Sequence, residues 1–383
     1  ERVKFMLKDS NAKVVLVTDE TINRVKKLTN IPLINVSDIK SSKTLKPLKT
    51  NNKDNLAAVI LYTSGTTGTP KGTILPRKAI LNLAEWCAHF TSLTKTDVFA
   101  LYVSIGFDVH IGSLYSPLLT GASLNVIPMD IRLDPNRLIN YFNQYHISHV
   151  FSITALTRIL LDNQLPKELR VMFTGGEALG EVNQHLTCSL YDAYGPTEST
   201  VLSTVIDVKK KISVSSVGHL LANIKGYVLD HERRLVPYGA MGELYLSGYQ
   251  LAKGYLNRDK ENKEAFFLNP FSKEKGYERM YKTGDIVRYL PDGTLGFIGR
   301  VDSQVKIRGN RVELGEVETC IKQVSGVIDT TVQTIQVNGN NELVAYVATN
   351  DKSIKDKVIK YVTSHKPAYM VPTHVVVLPK IPL

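Results

Sequence analysis

The sequence of 383 residues has few cysteines and no long apolar run, and each shortage excludes a class of protein. Its three cysteines, Cys87, Cys188 and Cys320, are far apart and form no CxxC pair, which excludes a disulfide framework and indicates a reducing compartment. The longest apolar run, at 56–62, is far shorter than the roughly 20 residues that a membrane-spanning helix needs. Because the chain also opens without an apolar leader, we expect a cytoplasmic protein that does not associate with membranes.

Positive charge is in excess, with 47 Lys and Arg against 36 Asp and Glu, but it is scattered along the chain. The one dense run, at 209–211, has no flanking aromatic side chains on which bases could stack, and a strand-like segment follows it at 212–214. We therefore expect a solvated surface or a polyanionic small substrate, and no nucleic acid. The length and the balance of 43% hydrophobic to 22% charged residues predict a soluble globular protein with about two or three domains.

The pattern of apolar residues changes twice along the chain. In the first part, strand-like runs alternate with helical segments; the strands are predicted at 14–17, 57–62, 98–103, 149–153 and 170–174, and the helices at 79–90, 109–118 and 135–145. In the second part, short strands are separated by Gly and Pro, at 225–229, 242–246, 285–289 and 295–298. In the third part, helices are predicted at 316–324 and 353–364 and strands at 331–337, 343–348 and 374–378.

These patterns predict an α/β fold class. A large domain at 1–301 would combine α/β layers with parallel sheets at 1–201 and a small barrel-like β subdomain at 202–301. A small α+β C-terminal domain would follow at 302–383. We expect a surface loop at 41–54, which is rich in Ser, Lys, Thr and Asn, and a hairpin turn at 291–293, where Pro fixes φ and Gly tolerates positive φ.

The stretch at 61–72, LYTSGTTGTPKG, has the composition of a phosphate-binding loop and follows a predicted buried strand. Its glycines allow the backbone to approach a ligand closely, its five hydroxyl side chains add hydrogen-bond donors, and Lys71 adds a positive charge. It is not a Walker A loop, because two residues separate Gly68 from Lys71. The alternative is a flexible loop with a structural role.

This stretch resembles the signature loop of the adenylate-forming (AMP-binding) superfamily, which includes acyl-CoA synthetases, luciferases and the adenylation domains of nonribosomal peptide synthetases. Four further stretches resemble the other motifs of that superfamily in the same order, at 193–200, 242–256, 281–285 and 299–318. The last one, with IRG at 307–309 and ELGE at 313–316, is most similar to the peptide-synthetase branch. Since members are longer at both ends, the resemblance implies a piece of a larger synthetase.

The resemblance implies that the chain uses ATP and Mg²⁺ to activate an amino acid as aminoacyl-AMP. It implies catalytic roles for Lys71 at the β- and γ-phosphates, Thr197 at the α-phosphate and Glu198 at Mg²⁺. The implied nucleotide-binding residues are Thr63, Ser64, Gly65, Thr66, Thr67, Gly68, Gly175, Gly176, Glu177, Asp192, Tyr194, Gly195, Asp285 and Arg300. Tyr194 would offer its ring to adenine and Asp285 would bind the ribose hydroxyls, although a turn cap is the alternative for Asp285. Asp192 stands where the family often has Asn.

The resemblance also implies an amino-acid pocket in which Asp108 pairs with the substrate ammonium. The alternative for Asp108 is a cap on the following helix. The implied substrate-binding residues are Phe107, Asp108, Val109, Gly112, Ser152, Phe173, Gly175, Ala193, Val201 and Leu202. Since Asp108 is the one charged residue in this set, an apolar or aromatic amino acid is favoured.

A second reaction is implied as well, in which the acyl group passes to the phosphopantetheine thiol of a carrier protein. Asp302 would be the hinge between the two domains, and Lys306 and Gly309 would approach the thiol after rotation. The alternatives are an acyl- or aryl-CoA ligase of the same superfamily, a module of the α-aminoadipate-reductase type, and a non-catalytic nucleotide-binding remnant.

Overall fold

The structure is a computed structural model that describes residues 2–39, 56–65, 69–182, 186–337, 340–351 and 353–382. Its helices are α1 (Arg2–Asp9), α2 (Ile22–Lys26), α3 (Arg77–Phe90), α4 (His110–Thr120), α5 (Pro135–Gln144), α6 (Thr154–Leu161), α7 (Asp259–Ala265), α8 (Leu314–Ile321) and α9 (Ile354–His365). Its strands are β1 (Val15–Val17), β2 (Leu33–Asn35), β3 (Ala57–Thr63), β4 (Lys71–Pro76), β5 (Val98–Leu101), β6 (Ser123–Val126), β7 (His149–Ile153), β8 (Val171–Gly175), β9 (Ser189–Tyr194), β10 (Thr204–Asp207), β11 (Ser216–Leu220), β12 (Ile224–Leu229), β13 (Gly242–Gly248), β14 (Gly254–Tyr255), β15 (Phe266–Leu268), β16 (Arg279–Tyr289), β17 (Leu295–Arg300), β18 (Gln304–Ile307), β19 (Asn310–Glu313), β20 (Asp329–Val337), β21 (Asn340–Ala348) and β22 (His374–Leu378).

One mixed sheet organises most of the chain. Its parallel half has the strand order β6-β5-β7-β8-β9, and the antiparallel half continues from β9 through β10-β11-β17-β16-β13-β12, with β15 on β16. The strands expected as a barrel-like subdomain therefore extend the parallel sheet, and among the described residues they do not close on themselves. The α/β fold class is confirmed.

Both faces of the parallel strands are buried, because adjacent residues on β8 enter different hydrophobic cores. Phe173 belongs to a core with Leu83 and Phe151, whereas Met172 belongs to a core with Phe142. Successive side chains of a strand point to opposite faces, and parallel sheets are covered by helices on both sides. This arrangement leaves the two ends of the strands as the places where polar groups collect.

A third hydrophobic core draws its residues from 305–377 and joins α8 and α9 to the β20-β21-β22 sheet. Before it, β18 and β19 form a hairpin whose two-residue turn, Arg308 and Gly309, has φ values of 51° and 76°. A left-handed conformation at both positions is typical of the tight hairpin turn that matches the twist of its strands. The boundary between residues 301 and 302 stays a prediction.

Several boundaries differ from those expected. β16 begins at Arg279, six residues before the predicted start, so the 281–285 motif lies within a strand and not in a turn. The strand-like prediction for 212–214 is wrong, since these residues form a bend and turn before β11. The hairpin turn at 291–293 is confirmed, with Gly293 at φ 81° between paired strands β16 and β17. The loop expected at 41–54 lies outside the described residues.

The structure shows where the cysteines lie and how long and apolar the helices are. The three cysteines are buried and unpaired. Among the described residues, none of the helices combines the length and the apolar character that crossing a bilayer requires. The cytoplasmic location stays a prediction.

Candidate active site

A cavity of about 920 Å³ lies at the carboxyl ends of the parallel strands. Ile153, Gly175 and Tyr194, the last residues of β7, β8 and β9, contribute to its wall. The β18–β19 hairpin reaches the cavity from the other side with Lys306 and Arg311. In open α/β sheets, ligands bind beyond the carboxyl ends of the strands, so this cavity is the candidate site.

Glu198 lies beside the cavity in a short 3-10 helix, Thr197–Ser199, and is fully buried. Nη1 of Arg311 donates to both of its carboxylate oxygens at 2.9 Å, and the Tyr255 hydroxyl donates to Oε1 at 2.6 Å. Burial by itself would raise the pKa of Glu198, but the charges of Arg311 and Lys71 outweigh it and lower that pKa to about 2. Glu198 is therefore ionised at neutral pH.

The segment after Glu198 is strained. Thr200 and Val201 have φ values of 48° and 72°, and a β-branched residue rarely adopts positive φ. The Thr200 hydroxyl donates to the Gln250 carbonyl at 2.7 Å, and Gln250 Nε2 donates to the Leu202 carbonyl at 2.6 Å, which hold this turn in place. The result places Val201 and Leu202 on the cavity wall directly after Glu198. Strain of this kind is found at functional sites.

The predicted phosphate loop connects β3 to β4, and its ends are described. Ser64 is buried and donates to the Arg311 carbonyl at 2.8 Å, while the buried Thr63 Oγ1 has no hydrogen-bond partner among the described residues. A Cβ on Gly65 would lie 2.2 Å from the Thr69 carbonyl oxygen, so the loop requires glycine there. Thr66, Thr67 and Gly68 lie outside the described residues.

Lys71, the first residue of β4, places its Nζ 4.7 Å from the centre of the Tyr255 ring. Burial lowers the pKa of Lys71, the charge of Arg311 lowers it further, and the charge of Glu198 opposes the shift. Lys71, Glu198 and Arg311 thus form one electrostatic cluster beside the cavity.

Asp285 is a buried acceptor that joins the cavity to the predicted hinge. It accepts hydrogen bonds from the Tyr194 hydroxyl and from Nη1 of Arg300. Nε and Nη2 of Arg300 donate to the two carboxylate oxygens of Asp302 at 2.7 and 2.8 Å. Because Asp285 lies inside β16, the turn-cap alternative does not describe it.

Asp192 is buried in β9 and forms an ion pair with Lys211, whose side chain is 9% exposed. Burial raises the pKa of Asp192, and the Lys211 charge opposes that shift. Within the 209–211 run, the Lys211 side chain is therefore mostly buried and is not part of a solvated surface. Gly195 allows a close backbone approach, since a Cβ there would lie 2.4 Å from the Val201 carbonyl oxygen.

Asp108 is partly buried in the cavity wall, where its Oδ2 accepts a hydrogen bond of 2.5 Å from the Thr197 hydroxyl. The helix-cap alternative is not observed, because the N-cap of α4 is Val109, without a side-chain cap. Burial raises the pKa of Asp108, and the Thr197 hydrogen bond and the Lys306 charge oppose the increase. A cation beside Asp108 would stabilise its ionised form.

Most of the predicted pocket residues line this cavity, and two do not. Those on the wall are Phe107, Asp108, Val109, Ser152, Gly175, Ala193, Val201 and Leu202. Phe173 is fully buried and stacks on Phe151 with ring centres 4.4 Å apart, so Phe151 forms the wall in its place. Gly112 is also covered, because a Cβ there would lie 3.2 Å from Phe151 Cε2. Gly112 and Phe173 therefore do not line the cavity in this structure, and their role in substrate binding stays a prediction.

The hairpin residues expected near the site do lie there. The Gly309 amide donates to Glu177 Oε1 at 2.8 Å, and a Cβ on Gly176 would lie 3.3 Å from Gly309 Cα. Lys306 Nζ lies 6.0 Å from the centre of the Tyr194 ring, and burial lowers the pKa of this lysine against the charges of Asp285 and Asp108. Their role in thioester transfer stays a prediction.

Sequence reasoning missed Arg311, Tyr255 and Phe151. Arg311 and Tyr255 both lie inside stretches that resemble family motifs, at 299–318 and 242–256. A charged residue just before an ELGE segment gives no sign that it will reach Glu198, since the contact depends on how the hairpin docks. Phe151 precedes a predicted pocket residue, and its neighbour Ser152 gave no reason to choose it.

A magnesium ion does not fit at Glu198 while Arg311 stays in place. Mg²⁺ takes one or two carboxylates together with phosphate oxygens, but both oxygens of Glu198 accept hydrogen bonds from a guanidinium cation. Among the described residues there is also no group of three or more His, Cys, Asp or Glu side chains that could hold a metal. A nucleotide fits better, because the cavity is large and the Thr63 hydroxyl is left without a partner among those residues.

A family model described as AMP-binding enzyme matches residues 1–256. The chain belongs to this family. The family expected from the motifs is therefore confirmed.

Curated relatives of this AMP-binding enzyme match it over its full length. Tyrocidine synthase 2 from Brevibacillus parabrevis is 36% identical over 390 residues, and malpinin synthetase from Mortierella alpina is 34% identical over 402 residues. Both alignments cover 100% of this chain, which spans 11% and 5% of the two relatives respectively.

Two solved structures are similar to the chain over nearly its whole length. The four-domain nonribosomal peptide synthetase AB3403, bound to AMP and glycine, is 31% identical with a TM-score of 0.67, covering 100% of this chain and 29% of that one. The Vibrio cholerae adenylation domain AlmE, in complex with glycyl-adenosine-5'-phosphate, has a TM-score of 0.84 at 22% identity. The match covers 99% of this chain and 79% of AlmE. At this identity, the likeness to AlmE shows only that the two chains share a fold.

Proposed function

We propose that the chain activates an amino acid by adenylation. The substrate carboxylate would form a bond to the α-phosphorus of ATP, the bond from that phosphorus to the pyrophosphate oxygen would break, and aminoacyl-AMP and pyrophosphate would result. Such a reaction depends mainly on positioning and on electrostatic stabilisation of the leaving charge. The site offers groups of the right kind: Lys71 beside the cavity for phosphate, and Tyr194 and Asp285 on its wall for adenine and ribose.

The observation that carries the proposal is the placement of Asp108. Its carboxylate lies in the cavity wall and accepts a hydrogen bond from Thr197, the neighbour of Glu198. One end of a small substrate would therefore reach Asp108 while its other end approaches the electrostatic cluster of Lys71, Glu198 and Arg311. An α-ammonium would add a cation in direct contact with this partly buried carboxylate, besides the nearby charge of Lys306. The acyl- or aryl-CoA ligase alternative brings no cationic group of the substrate to Asp108. The remaining predicted pocket residues are uncharged, which favours an apolar or aromatic amino acid.

ATP and Mg²⁺ are proposed as the cosubstrate and the metal of this reaction. Because Arg311 donates to both oxygens of Glu198, we propose that the hairpin moves away before Glu198 takes part in adenylation. The described arrangement, with Lys306 and Gly309 against the site, would then belong to the second reaction. In that reaction the acyl group passes to a phosphopantetheine thiol on a carrier protein.

The carrier protein is proposed because the matched relatives are a synthase and a synthetase many times longer than this chain. An adenylation unit of such a protein needs an acceptor for the activated amino acid. We propose that this chain is one such unit, with Asp302 as its hinge.

The experiment compares the full-length protein that carries this sequence with its Asp108→Ala and Asp108→Asn variants in amino-acid-dependent ATP–pyrophosphate exchange. Loss of the counter-charge should lower kcat/KM for the amino acid by roughly 10²-fold or more, because an uncompensated ammonium would remain in the pocket. ATP binding, measured by calorimetry, should stay near the parental value. Undiminished exchange in both variants would contradict the amino-acid assignment, and ATP binding without any exchange in the parental protein would favour the remnant alternative.

A further inference from the structure

Phe151 occupies the part of the cavity wall where a specificity residue would be expected. It is the third residue of β7, it is 2% exposed, and it lines the cavity together with its neighbours Ser152 and Ile153. Its ring is nearly parallel to that of Phe173 on β8, at 12° with centres 4.4 Å apart. Phe173 itself is fully buried, so Phe151 lies between it and the cavity.

The same ring fills the space that Gly112 leaves open. A Cβ on Gly112 would lie 3.2 Å from Phe151 Cε2 and 3.5 Å from Cζ, which are atoms at the far end of the ring. Gly112 is buried in α4 and contributes no side chain of its own. The depth that a glycine would give to a pocket is therefore taken up by Phe151.

Phe151 is held in this position by rings on two sides. Phe99 stacks on it with centres 6.1 Å apart, and Phe173 is supported in turn by Trp86, Phe90 and Tyr191. A side chain packed between aromatic rings in a dense core has little freedom to move aside for a ligand. The wall at Phe151 should thus behave as a fixed boundary.

We propose that Phe151 sets the depth of the amino-acid pocket, so that the chain selects a small or medium-sized apolar amino acid over an aromatic one. This inference rests on the proposed adenylation of an amino acid. It narrows the apolar-or-aromatic expectation, because the space beside Gly112 is filled by the Phe151 ring, which also covers Phe173.

The test uses Phe151→Leu and Phe151→Ala in the full-length protein, with ATP–pyrophosphate exchange measured for alanine, valine, leucine, phenylalanine and tryptophan. Shortening the side chain should shift the ratio of kcat/KM for phenylalanine over valine by at least about tenfold toward phenylalanine, as expected when a pocket gains the volume of several carbon atoms. Phe142→Leu is the matched control, since Phe142 is fully buried in the other core of the sheet. That control should lower thermal stability without changing the ratio.

A second measurement does not depend on activity. Gly112→Ala should lower the melting temperature in the parental background, because the added Cβ meets the Phe151 ring, and it should lower it less in the Phe151→Leu background. Additive effects of the two substitutions would contradict the placement of Phe151 over Gly112. This readout applies even where Phe151→Ala fails to fold.

The outcomes separate the inference from the function on which it rests. A parental protein that activates phenylalanine or tryptophan better than valine, or an unchanged ranking in the folded Phe151→Leu variant, overturns the role of Phe151 and leaves adenylation standing. No exchange with any of the amino acids overturns the proposed function itself. A preference for the smaller amino acids that moves toward larger ones in both Phe151 variants supports the inference.

Discussion

Two buried carboxylates, each paired with an arginine, lie at opposite ends of the parallel strands. Asp97 lies directly before β5, and its partner Arg170, whose Nη2 donates at 2.7 Å, lies directly before β8. At the carboxyl ends, Glu198 has its arginine in the β18–β19 hairpin, 113 residues further along the chain. The Asp97 cluster is therefore completed within the sheet, whereas the Glu198 cluster is completed by a segment that docks onto it.

The comparison shows that a perturbed pKa alone does not identify the functional carboxylate. Burial would raise the pKa of both acids, yet neighbouring donors and charges lower the pKa of each to about 2. What separates them is the origin of those partners: Asp97 accepts from Arg170 and from the backbone and hydroxyl of Thr94, which are all local to one edge of the sheet. Glu198 depends on Arg311, Lys71 and Tyr255, and it lies beside a cavity. Function is indicated by where in the fold the partners come from, and not by the shift of the pKa.

The largest effect is expected at Glu198. Glu198→Gln should slow adenylate formation by roughly 10²-fold or more, as lost transition-state electrostatics do, and Lys71→Ala should act similarly. Asp97→Asn is the matched control: it should destabilise the fold by about 1–3 kcal/mol while changing exchange activity by less than a few-fold. Exchange rates and thermal melts on the same preparations check both. Equal activity losses at Glu198 and Asp97 would remove the distinction between the two clusters.

The next effect concerns the hinge, where Asp302 lies between β17 and β18 and is held by Arg300. Asp302→Pro fixes φ near −65°, so the full-length protein should keep either adenylation or carrier loading and lose the other. Asp302→Ala, which removes the carboxylate without fixing φ, should retain both reactions.

Pyrophosphate exchange and loading of the carrier protein are measured together for each hinge variant. If Asp302→Pro loses both reactions in parallel, or loses neither, Asp302 only ends a strand.

Many strands could be predicted from the sequence, because the apolar pattern of a strand and the turn residues that bound it are local properties. The parallel strands β7 and β8 and the turn at Gly293 were predicted within a residue or two. The site was predicted less completely. Asp108 and Thr197 were both named, but their hydrogen bond joins residues 89 positions apart and follows from the sheet topology.

Two side chains have surroundings that the sequence does not indicate, for the same physical reason. Lys211 pairs with the buried Asp192 and Phe173 is covered by Phe151, because composition and motif position say which residue types are present but not which neighbours cover them. Burial by a partner from another element is decided by packing. Among the described residues, Phe151, Arg311 and Tyr255 are partners of this kind at the site.

The smallest expected effect concerns His149, at the amino-terminal ends of the parallel strands. His149 faces Asp97 with 3.8 Å between Nδ1 and Oδ1, contacts Ser148 Oγ at 2.8 Å, stacks on Phe99 and lies near the charge of Arg170. Burial lowers its pKa to about 4, against the opposing charge of Asp97. Between pH 4 and the ordinary value of 6.5, unfolded His149 binds more protons than the folded residue, so the free energy of unfolding should fall as the pH falls through this window.

His149→Phe should reduce that slope, by about 1–3 kcal/mol across the window, and leave pyrophosphate exchange at neutral pH close to parental. Urea unfolding at several pH values measures the slope. A slope equal to that of the parental protein would show that His149 titrates alike in the folded and unfolded chains.

The most direct test of the central claim is ATP–pyrophosphate exchange by the full-length protein with each amino acid and with its des-amino carboxylic acid. If Asp108 recognises the ammonium, exchange should depend on an apolar amino acid and drop by roughly 10²-fold or more with the matched acid that lacks the amine. Exchange that is as fast with the des-amino acid, or that occurs with no amino acid at all, would contradict the account.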